Sequence, residues 1–172
     1  LPRNKRKVIL ATNIAETSLT VPGVRYVIDS GLRKIKIWRH NLGLATLLTV
    51  PISQASATQR SGRAGRERAG KTYRLYTEGD YLQLPHQTEA EIARTDLSHP
   101  ILMLKRLKID DIINWSWIEN PGEESLFSAL QQLYILKALD NEGKITKLSE
   151  KMAIFPVPPQ LGVVLLTAFD LK

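Results

Sequence analysis

The stretch Gln59-Arg60-Ser61-Gly62-Arg63-Ala64-Gly65-Arg66 packs three guanidiniums and an amide into eight residues, separated by small side chains. If a helix starting at Ser53 continues through it, Gln59, Arg63 and Arg66 fall at i, i+4 and i+7 and share one face. Glycine inside a helix costs roughly 1 kcal/mol relative to alanine, so Gly62 and Gly65 imply close approach by another group. Phosphate fits that need. Two guanidiniums on one face neutralise charge on a transferring phosphoryl group, and a neighbouring glutamine orients an attacking water. The competing reading is an arginine-rich helix end that is simply solvated.

The next residues carry a second phosphate signature. Gly65 to Thr72, GRERAGKT, matches the phosphate-loop pattern G-x₄-G-K-[ST] letter for letter. A working loop of that kind needs a buried strand before it and a helix after it, so that backbone N–H groups and the helix dipole converge on phosphate. Here an arginine helix precedes it and the alternating segment Thr72–Thr77 follows, so the match is read as a coincidence of letters. No other phosphate loop and no Asp-Glu-x-His occurs in the sequence.

Charge favours the same polyanionic partners. Residues 1–74 hold 15 Lys and Arg against 3 Asp and Glu (+12), whereas 75–172 hold 9 against 14 (−5). A module that cationic suits nucleic-acid backbone or nucleoside triphosphate, with a solvated basic surface as the plain alternative. The chain has no cysteine, and His40, His86 and His99 lie far apart, so no structural metal site is expected. No apolar run reaches membrane-spanning length, and LPRNKRKVIL lacks the features of a signal peptide; no membrane partner is expected. The abrupt basic start and the apolar end are expected of a piece of a longer protein.

The elements that must position these groups follow from periodicity. Val8–Thr12 and Val24–Ile28 read as buried strands of a parallel sheet, with Pro22-Gly23 as a turn between them. Residues 33–50 read as a hairpin around His40-Asn41-Leu42-Gly43, with Lys34, Lys36 and Arg39 making a cationic face. Ser53 is placed to cap a helix through about Gly62, and Thr72–Thr77 returns to strand alternation. Beyond Asp96 the pattern turns helical. Leu97, Ile101, Leu104 and Leu107 give one helix, Asp110–Ile113 a short second, and Pro121 opens a third with Leu126, Phe127, Leu130, Leu133, Tyr134 and Leu136 on its apolar face. Glu123 and Glu124 suit the start of that helix and Lys137 its end. Asp140–Gly143 stops it, Lys144–Thr146 is extended, a helical turn spans Ser149–Phe155, and Pro156–Pro159 precedes a last apolar helix. Helices followed by a small hairpin suggest a winged-helix-like module, with a generic helical bundle as the rival.

Two of these stretches carry a family resemblance. Gln59–Arg66 is similar to motif VI, and Thr12-Asn13-Ile14-Ala15-Glu16-Thr17-Ser18-Leu19-Thr20 to motif V, of the DEAH-box RNA helicases of superfamily 2. The spacing between them, the strand ending Val27-Ile28-Asp29-Ser30-Gly31, the hairpin and Arg74-Leu75-Tyr76-Thr77 fit as well, so the resemblance covers essentially the whole chain. It implies an α/β fold: residues 1–95 as the C-terminal part of a second RecA-like lobe, 96–158 as a winged helix, and 159–172 as the start of a helical ratchet-like domain. It further implies that Arg63 and Arg66 reach the γ-phosphate of ATP, with Gln59 beside the attacking water. Thr12 and Asn13 would contact RNA backbone, and Thr20 and Asp29 would lie on the nucleotide side. The hairpin, about Ile35–Val50, would separate strands or guide RNA. ATP and Mg²⁺ would be held mainly by a first lobe outside this sequence. The remaining implications are RNA as partner, an activating protein docking near the winged helix, and a location in the nucleus or nucleolus, with the cytoplasm open. A non-catalytic RNA-binding or docking module is the alternative.

Overall fold

A computed structural model describes residues 5–39 and 42–171; His40 and Asn41, central to the expected hairpin turn, and the first four residues of the basic leader lie outside the described residues. The chain divides into two compact units, 1–35 with 47–89, and 36–46 with 90–172.

In the first unit, β1 (Tyr26–Asp29) pairs in parallel with β4 (Lys71–Arg74), with Tyr26 opposite Lys71 and Asp29 opposite Arg74. The ladder extends at both ends, Lys71 N donating to Arg25 O at 2.8 Å and Leu75 N to Asp29 O at 2.8 Å. Both strands are shorter than the sequence pattern suggests. Val24 and Arg25 stay outside β1, and β4 ends at Arg74, the chain leaving the ladder after Leu75 so that Thr77 caps a helix. The expected strand at Val8–Thr12 does not form: Val8 is 77% and Leu10 95% exposed, with no partner strand among the described residues. An apolar run becomes a buried strand only where neighbours pair it and cover it.

The hairpin forms as expected, from β2 (Leu32–Arg39) and β3 (Leu44–Pro51), as a separate two-stranded sheet. Its bases belong to the first unit and its outer part, residues 36–46, to the second. In that second unit Arg94 donates to Lys36 O at 3.1 Å.

α2 (Gln54–Ser61) begins where the sequence places it. The Ser53 side chain accepts from Ser56 N at 3.1 Å, and Gln54 N and Ala55 N donate to Pro85 O and His86 O. These bonds satisfy donors that a helix start leaves open. A further helix, α3 (Glu78–Gln83), was not anticipated; Thr77 and Asp80 form its capping box, and the Thr77 hydroxyl and N–H hold the exposed Asp80 carboxyl below its ordinary range. Thr77-Glu78-Gly79-Asp80 was the available signal.

Gly70 lies where three backbone segments converge. A Cβ there would sit 2.1 Å from Ala64 O and 2.5 Å from Arg25 O. The second glycine of the phosphate-loop pattern therefore admits β4 beside β1, and the element that directly follows it is that strand and not a helix. Gly31 has a positive φ of 73°, and the Tyr76 ring covers the place of its missing side chain.

The second unit is helical. α4 (Ser98–Arg106), α5 (Glu123–Ile135) and α6 (Lys147–Met152) enclose Leu97, Ile101, Leu102, Ile112, Leu126, Leu133 and Met152, each at most 1% exposed. Phe127 and Tyr134, expected on the apolar face of α5, are more than half exposed, because that face closes around Leu126, Ala129 and Leu133. Pro121 does not open α5; Gly122, with φ of 89°, is its N-cap. Lys137 takes the left-handed position after α5, φ 56°, while Lys137 N bonds Tyr134 O and Ala138 N bonds Leu133 O. That is the double closure of a Schellman cap, here without glycine.

No helix forms at Asp110–Ile113. The Asp111 carboxylate accepts from Asn114 N and Nδ2, which ties the segment into a local turn and holds the Asp111 carboxyl below its ordinary range. After Asp140–Gly143 the small hairpin reduces to a single antiparallel bridge, Leu139 with Ile145, and α7 (Pro159–Asp170) starts at the expected proline break. No described helix is long and apolar enough to cross a membrane.

The Gly70 geometry makes a direct prediction. Gly70→Ala should cost roughly 1–3 kcal/mol by overpacking, read as faster native-state hydrogen exchange at β1 and β4 amides. Gly65→Ala, whose added Cβ meets nothing within 4 Å, should leave those amides nearly unchanged.

Candidate functional site

The candidate residues all fall in the first unit, but not on one helical face. α2 ends at Ser61 with Gly62 as C-cap, so Arg63, Gly65 and Arg66 lie in the turns beyond it. The i, i+4, i+7 argument therefore does not describe them, and neither glycine is inside a helix. Arg63 N bonding Arg60 O, and Ala64 N bonding Ser61 O, show the helix tightening and then releasing the chain.

What brings the arginines together is the segment Thr12–Thr20. It contains one helical turn, α1 (Ile14–Thr17), with Asn13 at its N-cap making no side-chain capping bond and with no buried residue. Arg63 donates through Nη1 to Leu19 O at 3.3 Å and through Nη2 to Glu16 O. Arg66 Nη1 donates to Thr20 Oγ1 at 2.8 Å. Two guanidiniums three positions apart in the chain thus converge on the last five residues of the other motif. Arg66 remains exposed and Arg63 half-buried, so both can still reach an anion. Gln59 is exposed near the end of α2, and Thr12 and Asn13 are exposed ahead of α1.

Beneath this surface is an ionic network that the sequence reading missed. Arg60 Nε and Nη2 both donate to Glu16 Oε1, at 2.7 and 2.6 Å, while Nη1 donates to Asp29 Oδ1 at 2.7 Å. The Asp29 side chain is fully buried at the end of β1. Its Oδ1 also accepts Gly31 N, and its Oδ2 accepts the Tyr76 hydroxyl at 3.0 Å. Asp29, expected on the nucleotide side, therefore has both oxygens engaged by its own chain. Burial acts to lower the Arg60 pKa, yet hydrogen bonds and charge from Asp29 and Glu16 outweigh it and hold the guanidinium above its ordinary value. Burial, then the hydrogen bond and charge of Asp29, push the Tyr76 phenol up to about 12.

A signal for this network existed in the charge count. Residues 1–74 contain only Glu16, Asp29 and Glu67 as acids among fifteen cations. All three are committed: two to Arg60, and Glu67 to Gly23 N at 3.1 Å. The described residues contain no group of three or more His, Cys, Asp or Glu that could hold a metal ion.

Comparison with known proteins agrees with these motifs. The helicase conserved C-terminal domain family matches residues 1–68, and the helicase associated domain (HA2), winged-helix, matches residues 129–157. The chain is 63% identical over 166 residues to the probable ATP-dependent RNA helicase DHR2 of Saccharomyces cerevisiae, covering 96% of this chain and 23% of that protein. It is 51% identical over 172 residues to the pre-mRNA-splicing factor ATP-dependent RNA helicase prp22 of Schizosaccharomyces pombe, covering 99% of this chain and 15% of that protein. Among solved structures, the DExH-box NTPase HrpB of E. coli superposes with a TM-score of 0.88 at 38% identity, over 98% of this chain and 21% of that one. A second HrpB structure, described as a DEAH/RHA helicase, gives 0.90 at 38% identity over 96% and 21%. The chain thus spans less than a quarter of the length of each of these relatives.

The Tyr76 environment predicts an alkaline transition. The folded state keeps a proton that the unfolded state releases near the ordinary value of 10.0, so stability should hold below about pH 10 and fall as pH rises toward 12. Difference absorbance titration of the chain against Tyr76→Phe should show a phenol titrating near 12; a midpoint near 10 would contradict the network.

Proposed function

From its membership of the DEAH-box RNA helicases of superfamily 2, to which this chain belongs as a C-terminal portion, we propose that the whole protein couples ATP hydrolysis to movement along RNA, unwinding or ribonucleoprotein remodelling. Residues 1–95 act as the C-terminal part of the second RecA-like lobe, 96–158 as a winged helix and 159–172 as the start of a ratchet-like domain. The observation that carries this reading is the convergence of Arg63 and Arg66 on residues 16–20. It ties a phosphate-seeking segment to a loop whose other end, Thr12 and Asn13, is free to meet RNA backbone.

In this reading Arg63 and Arg66 exchange their contacts to the loop for the γ-phosphate of ATP. They neutralise charge that develops there as the phosphoryl group transfers, and Gln59 orients the attacking water. Thr20 lies on the nucleotide side through Arg66, and Asp29 acts there by fixing Arg60. ATP and Mg²⁺ are held mainly by residues outside this chain. The hairpin residues Lys34, Lys36 and Arg39 guide RNA by contacts to its phosphates. An activating protein docks near the winged helix. A role in RNA processing extends to this chain what the name of the fission-yeast relative, a pre-mRNA-splicing factor, says of that protein, and a nuclear site of action goes with that role.

RNA-stimulated ATPase of the full-length protein tests the assignment. Arg66→Ala should lower turnover by about 10³–10⁵, the range for removing an arginine finger. Near-normal turnover would refute it. If Arg63→Ala instead spares ATPase and abolishes RNA binding, a non-catalytic RNA-binding platform is the better account. The chain of 172 residues by itself should hydrolyse no ATP above buffer background.

A further inference from the structure

Arg60 is the arginine of the octapeptide that points away from the exposed surface. Its side chain is 15% exposed, against 11% for Glu16 and 0% for Asp29. We infer that Arg60 is the positioning residue through which RNA contact at Thr12–Asn13 sets the posture of Arg63 and Arg66. The inference rests on the reading of the 12–20 loop given above and adds how its two ends communicate.

Little else holds the loop. α1 has four residues, no buried side chain and no side-chain cap, and an isolated turn of helix in water is unstable. Its fixed point is Glu16. The Glu16 carboxylate is clamped by Arg60, and its carbonyl takes the Arg63 guanidinium, so one residue is gripped from both sides. Three residues upstream is Asn13; three and four downstream are Leu19 and Thr20, which hold Arg63 and Arg66. The anchor is rigid on the other side as well. Arg60 is fixed to Asp29, which sits at the end of a paired strand and is held by Gly31 N and Tyr76. A shift of α1 caused by RNA at its N-terminal end must therefore either move the arginine contacts or break the Arg60–Glu16 pair. Coupling between the ends requires an element with two such arrangements, and these are the two open to the loop.

Lysine cannot reproduce the link. A guanidinium fork reaches two carboxylates at once, whereas an ammonium on a flexible stem satisfies one and leaves the other loose. Arg60→Lys keeps a cation beside the buried Asp29 charge, so the fold survives where Arg60→Ala endangers it.

The test uses the full-length protein and follows ATPase against RNA concentration. Arg60→Lys should raise the RNA concentration for half-maximal stimulation about tenfold while KM for ATP stays within about twofold. Glu16→Gln should do the same, and the double variant should be no worse than Arg60→Lys alone, since both remove one link. A fall in kcat by the same factor with and without RNA, at an unchanged RNA half-saturation point, would overturn the inference, because lost active protein gives that pattern. Multiplying effects in the double variant would overturn it too. If Arg66→Ala abolishes turnover while Arg60→Lys leaves RNA half-saturation alone, only the positioning role fails; if Arg66→Ala retains turnover, the functional reading itself fails.

Discussion

A single guanidinium, that of Arg60, sits between two carboxylates from different parts of the chain, and the arrangement of the site follows from it. Asp29 is wholly buried, and a buried carboxylate left unpaired would cost about 3–5 kcal/mol. Arg60 neutralises it and, with the remaining nitrogens, captures Glu16. Removing Arg60 therefore leaves a buried charge uncompensated and frees a loop that has little packing of its own. Gly31 and Tyr76 complete the same arrangement, one by its N–H and the absence of a side chain, the other by its hydroxyl.

From that constraint the exposed chemistry is placed with few further contacts. The chain leaves α2 at Gly62 and turns back, so that Arg63 and Arg66 meet the loop that Arg60 has already fixed. Gly70 then lets the chain pass Ala64 and Arg25 closely enough for β4 to join β1, which returns Tyr76 to Asp29. The phosphate-loop letters at Gly65–Thr72 are thereby explained by packing: the glycine is needed for backbone approach, and Lys71 begins a strand. In the second unit the stabilising device is different, an apolar core closed by α4, α5 and α6.

Much of this was legible from residue types alone. Ser53 as a cap, the hairpin, the α5 core positions Leu126 and Leu133 and the proline break before α7 rest on local rules, and local rules are what a sequence displays directly. The failures share a cause. Val8–Thr12 reads as a buried strand only if something covers it, and here it is exposed. Asp110–Ile113 reads as a helix start until the Asp111 side chain finds Asn114 instead. The shared face of Gln59, Arg63 and Arg66 needs a helix that in fact stops at Ser61, and the buried arginine is instead Arg60, whose partners lie 44 and 31 residues away. Pairings over such distances are set by tertiary contact and leave only an indirect mark, here the scarcity of acids among fifteen cations.

The arginine segment and the 12–20 loop behave as one unit if Arg63 and Arg66 move between the loop and an anion. Amide hydrogen exchange across residues 14–20 of the full-length protein, with and without an ATP transition-state analogue and in the absence of RNA, measures this most directly. If Arg63 and Arg66 leave Glu16, Leu19 and Thr20 to bind the anion, exchange in the loop must change when the analogue binds. Exchange that is identical in both states, with the analogue bound at saturation, would contradict the coupling.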